Sequence, residues 1–118
     1  MSDEILSHLN SNQAVLESYV LRNELRIILK SGVDYFNPTI KVRIWYGPDA
    51  NHLPYSFELS HHVKTPKQQA PYHPSRVSFD TESEAIDAAV SATITFIESA
   101  IQAGNEPSGD WLVRNEDF

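Results

Sequence analysis

The strongest pattern of apolar and polar positions in the chain lies between residues 81 and 103. Apolar side chains recur there in steps of three and four residues, with polar side chains between them, which predicts an amphipathic helix of about six turns. Thr81 and Glu84 form a capping-box pattern at its start, and Gly104, followed by Pro107, marks its end. The positions on the side expected to pack are Ile86, Ala89, Val90, Thr93, Ile94, Phe96, Ile97, Ala100 and Ile101.

Two stretches alternate between apolar and polar residues with a period of two, which predicts β-strands. In residues 40–46 the polar-face positions are Lys41, Arg43 and Trp45, and a Gly-Pro-Asp turn signal ends the run. In residues 53–64 the alternation continues through both histidines to the end of the run. Because each strand has one apolar and one polar face, the two are expected to form an antiparallel hairpin packed on a helix.

The first 38 residues allow two interpretations. The favoured one is a helix to about Arg22, with a break near residues 10–12, followed by a strand at 24–31. The alternative is a single helix that runs to Lys30, but its apolar residues would then point in every direction. We therefore expect the strand.

Together these elements predict an α+β fold. It is a two-layer sandwich with an N-terminal helix, a three-stranded antiparallel sheet, and a long C-terminal helix packed on one sheet face. A chain of 118 residues is expected to form one domain, residues 1–118. Its acidic tail, residues 104–118, contains Trp111 and Phe118 and is expected to dock in part. The other face of the sheet is left to water or to a partner.

Residues 77–108 read VSFDTESEAIDAAVSATITFIESAIQAGNEPS and resemble part of the small antitoxin-like domains of the HicB type. In those domains a three-stranded sheet leads into a capped helix that ends in a polar tail. The resemblance covers about a quarter of the chain and implies the same arrangement here. The helical N-terminus and the loop with histidine and proline differ from that family, so the resemblance implies a fold and no activity.

The composition excludes several kinds of site. The chain has no cysteine, which rules out disulfides, thiolate nucleophiles, zinc ribbons and iron–sulfur clusters. The N-terminus starts with acidic residues and lacks the features of a signal peptide, and no run of 18 apolar residues occurs. A cytoplasmic protein without membrane association is therefore expected.

The net charge of −7 is distributed unevenly. Residues 1–76 carry eight Lys or Arg and seven Asp or Glu, whereas residues 77–118 carry one Arg and nine Asp or Glu. Binding to a phosphate backbone needs a basic face, so the charge disfavours a nucleic-acid partner, although the nearly neutral first part could hold a small basic patch.

His61 and His62 are adjacent in the predicted strand, where neighbouring side chains point to opposite faces. They are therefore not expected to share one metal ion. The alternation assigns His61 to the apolar face, where it is either a hydrogen-bonded core residue or an acid–base group. It assigns His62 to the solvent face with Glu58 and Lys64.

The segment of residues 64–76 is predicted to be a stiff loop, because prolines on both sides of Tyr72 and His73 restrict the backbone. With Ser75 and Arg76 it offers side chains that could recognise a ligand, and the alternative is a plain connector. A metal site that also used His52 and Asp80 has no recognised ligand spacing, so neither a metal nor another cofactor is predicted.

The polar face of the predicted strand at 40–46 carries an aromatic and basic patch. If this face of the sheet is open, Lys41, Arg43, Trp45 and His62 would suit an acidic partner or a second copy of the chain. Cover by the N-terminal helix or by the tail is the alternative.

These features favour a non-enzymatic protein-interaction or regulatory module. It is expected to be a homodimer and to engage its partner through the open sheet face and the 64–76 loop. The first alternative is a small ligand-binding or metal-binding domain of enzyme-like character that uses His61 and His73. The second, a nucleic-acid-associated protein, is disfavoured by the charge.

Overall fold

The computed structural model describes residues 2–47 and 53–118. Along these residues two helices are separated by strands, and a short 3-10 helix leads into the last strand. The elements are α1 (Ser2–Asn10), β1 (Val20–Ile28), β2 (Thr39–Tyr46), β3 (Tyr55–Leu59), β4 (His61–Val63), β5 (Ser78–Phe79), α2 (Glu82–Gln102), a 3-10 helix (Gly109–Trp111) and β6 (Leu112–Arg114).

The strands form two antiparallel sheets. The larger has the order β1-β2-β3-β5, and β4 pairs with β6 in the smaller one. The predicted α+β class is confirmed, but the predicted sheet of three strands is wrong, because β5 adds a fourth. Ser78 and Phe79 are too short a segment to produce a period-two pattern, and they pair with Ser56 and Tyr55 of β3.

The N-terminal segment is a short helix followed by a long strand. The helix ends at Asn10 instead of near Arg22, and the strand begins at Val20, so the expected strand is confirmed with different bounds. Ser11 caps the last turn of the helix: its N–H makes the helical bond to the Ser7 carbonyl, and its hydroxyl donates to the His8 carbonyl at 2.7 Å.

The strand predicted over residues 53–64 is interrupted at Ser60. The Ser60 hydroxyl accepts the backbone N–H of Lys41 at 2.8 Å, and the Ser60 carbonyl accepts from the N–H of Asn115 at 2.8 Å. The chain therefore leaves β2 at this point and continues as β4 beside β6. Pro48, in the turn signal after β2, lies outside the described residues.

The core lies between the larger sheet and α2. Residues from alternate positions of β2 and β3 meet a row of small residues on α2, and a second cluster joins the end of α2 to the tail. The first cluster is Leu29, Ile40, Val42, Ile44, Phe57, Leu59, Phe79, Ala85 and Ala89. The second is Val63, Ile97, Ala100 and Trp111.

The helix predicted from periodicity is confirmed as α2. Thr81 is its N-cap and accepts from the Glu84 N–H at 3.1 Å, while the Glu84 carboxylate accepts from the Thr81 hydroxyl at 3.0 Å. Gly104 follows the helix with a φ of 93°, a left-handed conformation that glycine adopts without strain. Within the described residues, neither helix is long and apolar enough to cross a membrane.

The C-terminal tail returns to the domain. Trp111 is 5% exposed and meets Phe36 edge-to-face at 6.1 Å between ring centroids. Its carbonyl accepts the N–H of Lys64, and the side-chain amide of Asn115 donates to the Leu59 carbonyl at 2.8 Å. Through these contacts the tail carries Arg114 close to Lys41 and Arg43 of β2.

Candidate functional site

The larger sheet has a second face, on the side away from α2. Strand alternation places the polar positions of three strands on this face. The end of the tail covers part of this face, since Phe118 lies against the guanidinium group of Arg43 at 4.0 Å. The side chains that the strand register places there include Glu24, Arg26, Thr39, Lys41, Arg43, Trp45, Ser56 and Glu58.

At one end of the second face lies a groove of about 380 Å³, which we call the basic groove. Its volume is within the range of ligand sites, roughly 300–1,000 Å³. Its walls come from β1, β2, the turn at Ser60, β4 and the tail, so folding assembles it from distant parts of the chain. The lining residues are Glu24, Thr39, Ile40, Lys41, Arg43, Ser60, His61, Arg114, Asn115, Glu116 and Phe118.

A chain of hydrogen bonds orients His61 in the basic groove. The Ser60 hydroxyl accepts the N–H of Lys41 at 2.8 Å and lies 2.8 Å from Nδ1 of His61. Because the hydroxyl hydrogen remains available for Nδ1, this arrangement favours the tautomer that carries its proton on Nε2. Burial, and then the nearby charge of Arg114, lower the pKa of His61. The neutral ring can thus donate a hydrogen bond from Nε2.

The cationic side chains of the basic groove differ in whether they form an ion pair. Arg43 is paired with Glu24 at 2.7 Å. Among the described residues, neither Lys41 nor Arg114 has an ion-pair partner. The lining also holds the carboxylate of Glu116. Lys41, Arg114 and the Nε2–H of His61 together still give the groove hydrogen-bond donors suited to a carboxylate or another anion.

The second face continues into a cavity of about 360 Å³ that we call the aromatic patch. It is lined by Tyr19, Trp45, Ser56, Phe57, Glu58 and Val77. The half-buried Trp45 ring is fixed because its Nε1–H donates to Glu58 at 2.6 Å. Lys41 and Trp45 are four residues apart on β2, a separation of about 13 Å along an extended strand. The groove and the patch therefore adjoin along one strand.

The histidines are not arranged as their strand positions predict. His61 lines the basic groove on the polar second face, and His62 lies beside the 64–76 loop, so the predicted assignment of faces is wrong. The turn at Ser60 takes β4 out of the alternation of β3. The ring of His73 packs against His62 with 4.1 Å between centroids, and the structure does not bring His73 to His61.

His62 is held in a poorly solvated position. Its Nδ1 is buried and has no hydrogen-bond partner among the described residues. Burial lowers the pKa of His62, and the nearby His73 lowers it further, although a hydrogen bond with the Tyr72 backbone opposes the shift. A neutral His62 therefore suits this packing better than a charged one.

The other residues singled out in the 64–76 loop lie against α2. Tyr72, Ser75 and Arg76 line a cavity of about 410 Å³, and Tyr72 contacts Phe96 with 4.7 Å between ring centroids. Arg76 donates to the Ser78 carbonyl at 3.2 Å and lies over a phenylalanine ring of β5. This cavity is separate from the basic groove, so the candidate loop residues and His61 do not form one site.

In the part of the chain that the structure describes, no group of three His, Asp or Glu side chains is placed to hold a metal ion. His52, one of the residues considered for such a site, lies outside the described residues.

Sequence reasoning missed the tail's share of the groove. Arg114, Asn115 and Phe118 are more than 50 residues from His61, and no spacing rule links them. The available signal was the group of apolar residues near Trp111. It indicated that the tail docks, but it did not indicate the place where the tail docks.

Comparison with known proteins identifies no relative. No family model matches the chain, and no curated protein and no solved structure matches it. The resemblance of residues 77–108 to domains of the HicB type thus receives no support from these comparisons.

Proposed function

We propose that this protein is a non-enzymatic protein-interaction module that binds an extended, acidic segment of a partner protein along the second face. The observation that carries the proposal is the basic groove, where Lys41 and Arg114 have no ion-pair partner among the described residues and lie beside the Nε2–H of His61. Cations that are left unpaired in a concave site, on a chain with a net charge of −7, favour an anionic ligand.

The extent of the second face favours a peptide over a small anion. A carboxylate in the basic groove would leave the adjoining aromatic patch empty, whereas an extended segment can reach both. With about 13 Å between Lys41 and Trp45, an acidic side chain in the groove and an apolar one on Trp45 would be about four residues apart in the ligand. Aromatic residues and arginine are also the types enriched at protein interfaces.

Long-range electrostatics also affects this binding. The net negative charge repels an acidic ligand at a distance, while the groove attracts it at contact. Salt screens charges that are separated by more than a Debye length, about 8 Å at physiological ionic strength. Binding is therefore expected to fall less steeply with added salt than binding to a uniformly basic surface.

The test is a titration of the ¹⁵N-labelled protein with a synthetic hexapeptide, followed by NMR. The peptide has two glutamates at one end and leucine and phenylalanine at the other, and a control peptide has glutamines instead of the glutamates. We expect the acidic peptide to shift the signals of Lys41, His61 and the Trp45 indole, and the control peptide to bind at least about tenfold more weakly.

Variants of the protein distinguish the effect of a charge in the basic groove from the effect of the overall charge of the protein. Arg114→Glu should weaken acidic-peptide binding by about tenfold or more, because it reverses a charge in the groove. Lys67→Glu makes a similar change at an exposed loop position outside the groove and should leave binding nearly unchanged. Equal effects of the two variants would contradict the proposed site.

Other anions provide the competing outcomes. If succinate or inorganic phosphate binds as tightly as the acidic peptide, the groove is a small-anion site and the proposal is wrong. If mixed-sequence DNA binds at low salt with a steep salt dependence, the disfavoured nucleic-acid function is supported instead. Absence of acidic-peptide binding at millimolar concentration would also overturn the proposal.

A further inference from the structure

Strand β1 is an outer strand of the larger sheet. It is nine residues long and, within residues 2–47 and 53–118, pairs with β2 on one side only. An outer strand leaves a row of backbone N–H and C=O groups open to pairing with another strand. The irregularity in β1 lies between Leu21 and Asn23, so the stretch from Glu24 to Ile28 is regular.

The register identifies the backbone groups that point outward. The N–H of Leu29 donates to the Pro38 carbonyl at 2.9 Å, towards β2. Because hydrogen-bonding direction alternates along an antiparallel strand, the backbone groups of Glu24, Arg26 and Ile28 point away from β2. All three residues are exposed, and Ile28 is 63% exposed.

The charged side chains on this edge are complementary to those on the same edge of a second copy of the chain. Two copies related by a twofold axis at Leu25 would place Glu24 opposite Arg26 of the other copy, twice, with hydrogen bonds between outward-facing backbone groups. An axis at Glu24 or at Arg26 would instead place like charges opposite each other. An axis at Ile27 would place Arg26 opposite Ile28, without an opposite charge.

We propose that two copies of this chain form a dimer by antiparallel pairing of their β1 strands, with the twofold axis at Leu25. Leu25 is half-buried at the edge of the core face, and in the dimer it would face its counterpart across the axis. The two larger sheets become one continuous sheet of eight strands. The dimer does not require the acidic-peptide function, because its backbone pairing uses the edge of the sheet, although Glu24 also lines the basic groove.

Charged side chains on an edge strand often serve to prevent such pairing. They prevent pairing when a side chain would lie opposite a side chain of the same charge on the other copy. Here Glu24 and Arg26 are two residues apart with opposite signs, so they favour one register and oppose two others. Glu24 also retains its bond to Arg43, since a carboxylate has two oxygen atoms that accept hydrogen bonds.

The experiment measures mass by sedimentation equilibrium at several protein concentrations. The unmodified protein should form a dimer. Arg26→Glu places glutamate opposite Glu24, and Glu24→Lys places lysine opposite Arg26, so each variant alone should dimerise at least about tenfold more weakly. An equimolar mixture of the two variants should recover the dimer, because each copy then meets the opposite charge.

Two controls make the outcome decisive. Circular dichroism shows whether each variant is folded. Both variants should fold, because both positions are exposed. Lys67→Glu, on the 64–76 loop, should leave the dimer unchanged. The proposal fails if the unmodified protein is monomeric at millimolar concentration or if both variants dimerise as tightly as it does. It also fails if the mixture stays as weakly associated as its components.

Discussion

Replacement of Trp111 by alanine tests whether the tail is an integral part of the fold. Trp111 is 5% exposed and belongs to the cluster that joins the end of α2 to β4. Truncation of a buried tryptophan to alanine destabilises a protein by about 3–5 kcal/mol. We expect the upper half of this range, because Trp111→Ala also removes the edge-to-face contact with Phe36, worth about 0.5–1.5 kcal/mol.

The size of this loss is large compared with the stability of a domain, about 5–15 kcal/mol. Urea denaturation followed by far-UV circular dichroism, which reports on α2, measures it directly. For an m-value of about 2 kcal/mol per molar, the urea midpoint of Trp111→Ala should fall by roughly 2 M. The variant should also lose acidic-peptide binding, because Arg114 is placed in the groove by the same tail.

Val113 gives a matched control on β6. Its side chain is 37% exposed, so Val113→Ala should change the free energy of unfolding by no more than about 0.5 kcal/mol. A loss below about 1 kcal/mol for Trp111→Ala would show that the tail does not share the core. The same small loss with rapid hydrogen exchange in β6 would mean that the tail opens separately.

Two further predictions concern the helix cap and the histidines. Thr81→Ala should lower the free energy of unfolding by about 1 kcal/mol in urea denaturation, because the Glu84 N–H loses its acceptor, while Thr81→Ser should retain most of it. The pKa values of His61 and His62 are lowered by burial, so the unfolded chain takes up protons at a higher pH than the folded one. Stability should therefore be constant above about pH 7 and decline as the pH falls below about 6.5, by at most about 1.4 kcal/mol per pH unit for each histidine. The decline should be smaller in His62→Asn, and an equal or steeper decline in that variant would contradict this assignment.

The elements with strong local patterns could be predicted from the sequence. The helix α2 is recognisable because its buried side chains recur with the period of a helix and because Thr81 and Gly104 mark its ends. The strand β2 is recognisable because Ile40, Val42 and Ile44 alternate with polar residues. These signals are local, since one face of each element contacts the core over its whole length.

The beginning of the chain shows where such patterns weaken. Strand β1 lies at the edge of the sheet, where even its core-facing residues are partly exposed. Its alternation is correspondingly poor, and its start at Val20 could not be placed. The two residues of β5 carry no period at all, and their pairing with β3 depends on the course of the 64–76 loop.

By itself, the sequence determined the fold class, the long helix, the central strands and the aromatic and basic character of one strand face. Tertiary structure decided that His61, and not His62, lies on the polar face of β2. The reason is that the hydrogen bonds of Ser60 to Lys41 and Asn115 turn β4 towards the tail. It also decided that Arg114 joins Lys41 and His61. The physical reason is that contacts between residues far apart in the chain leave no period in the sequence. The contacts of the tail form only when the burial of Trp111 and the pairing of β4 with β6 bring it back.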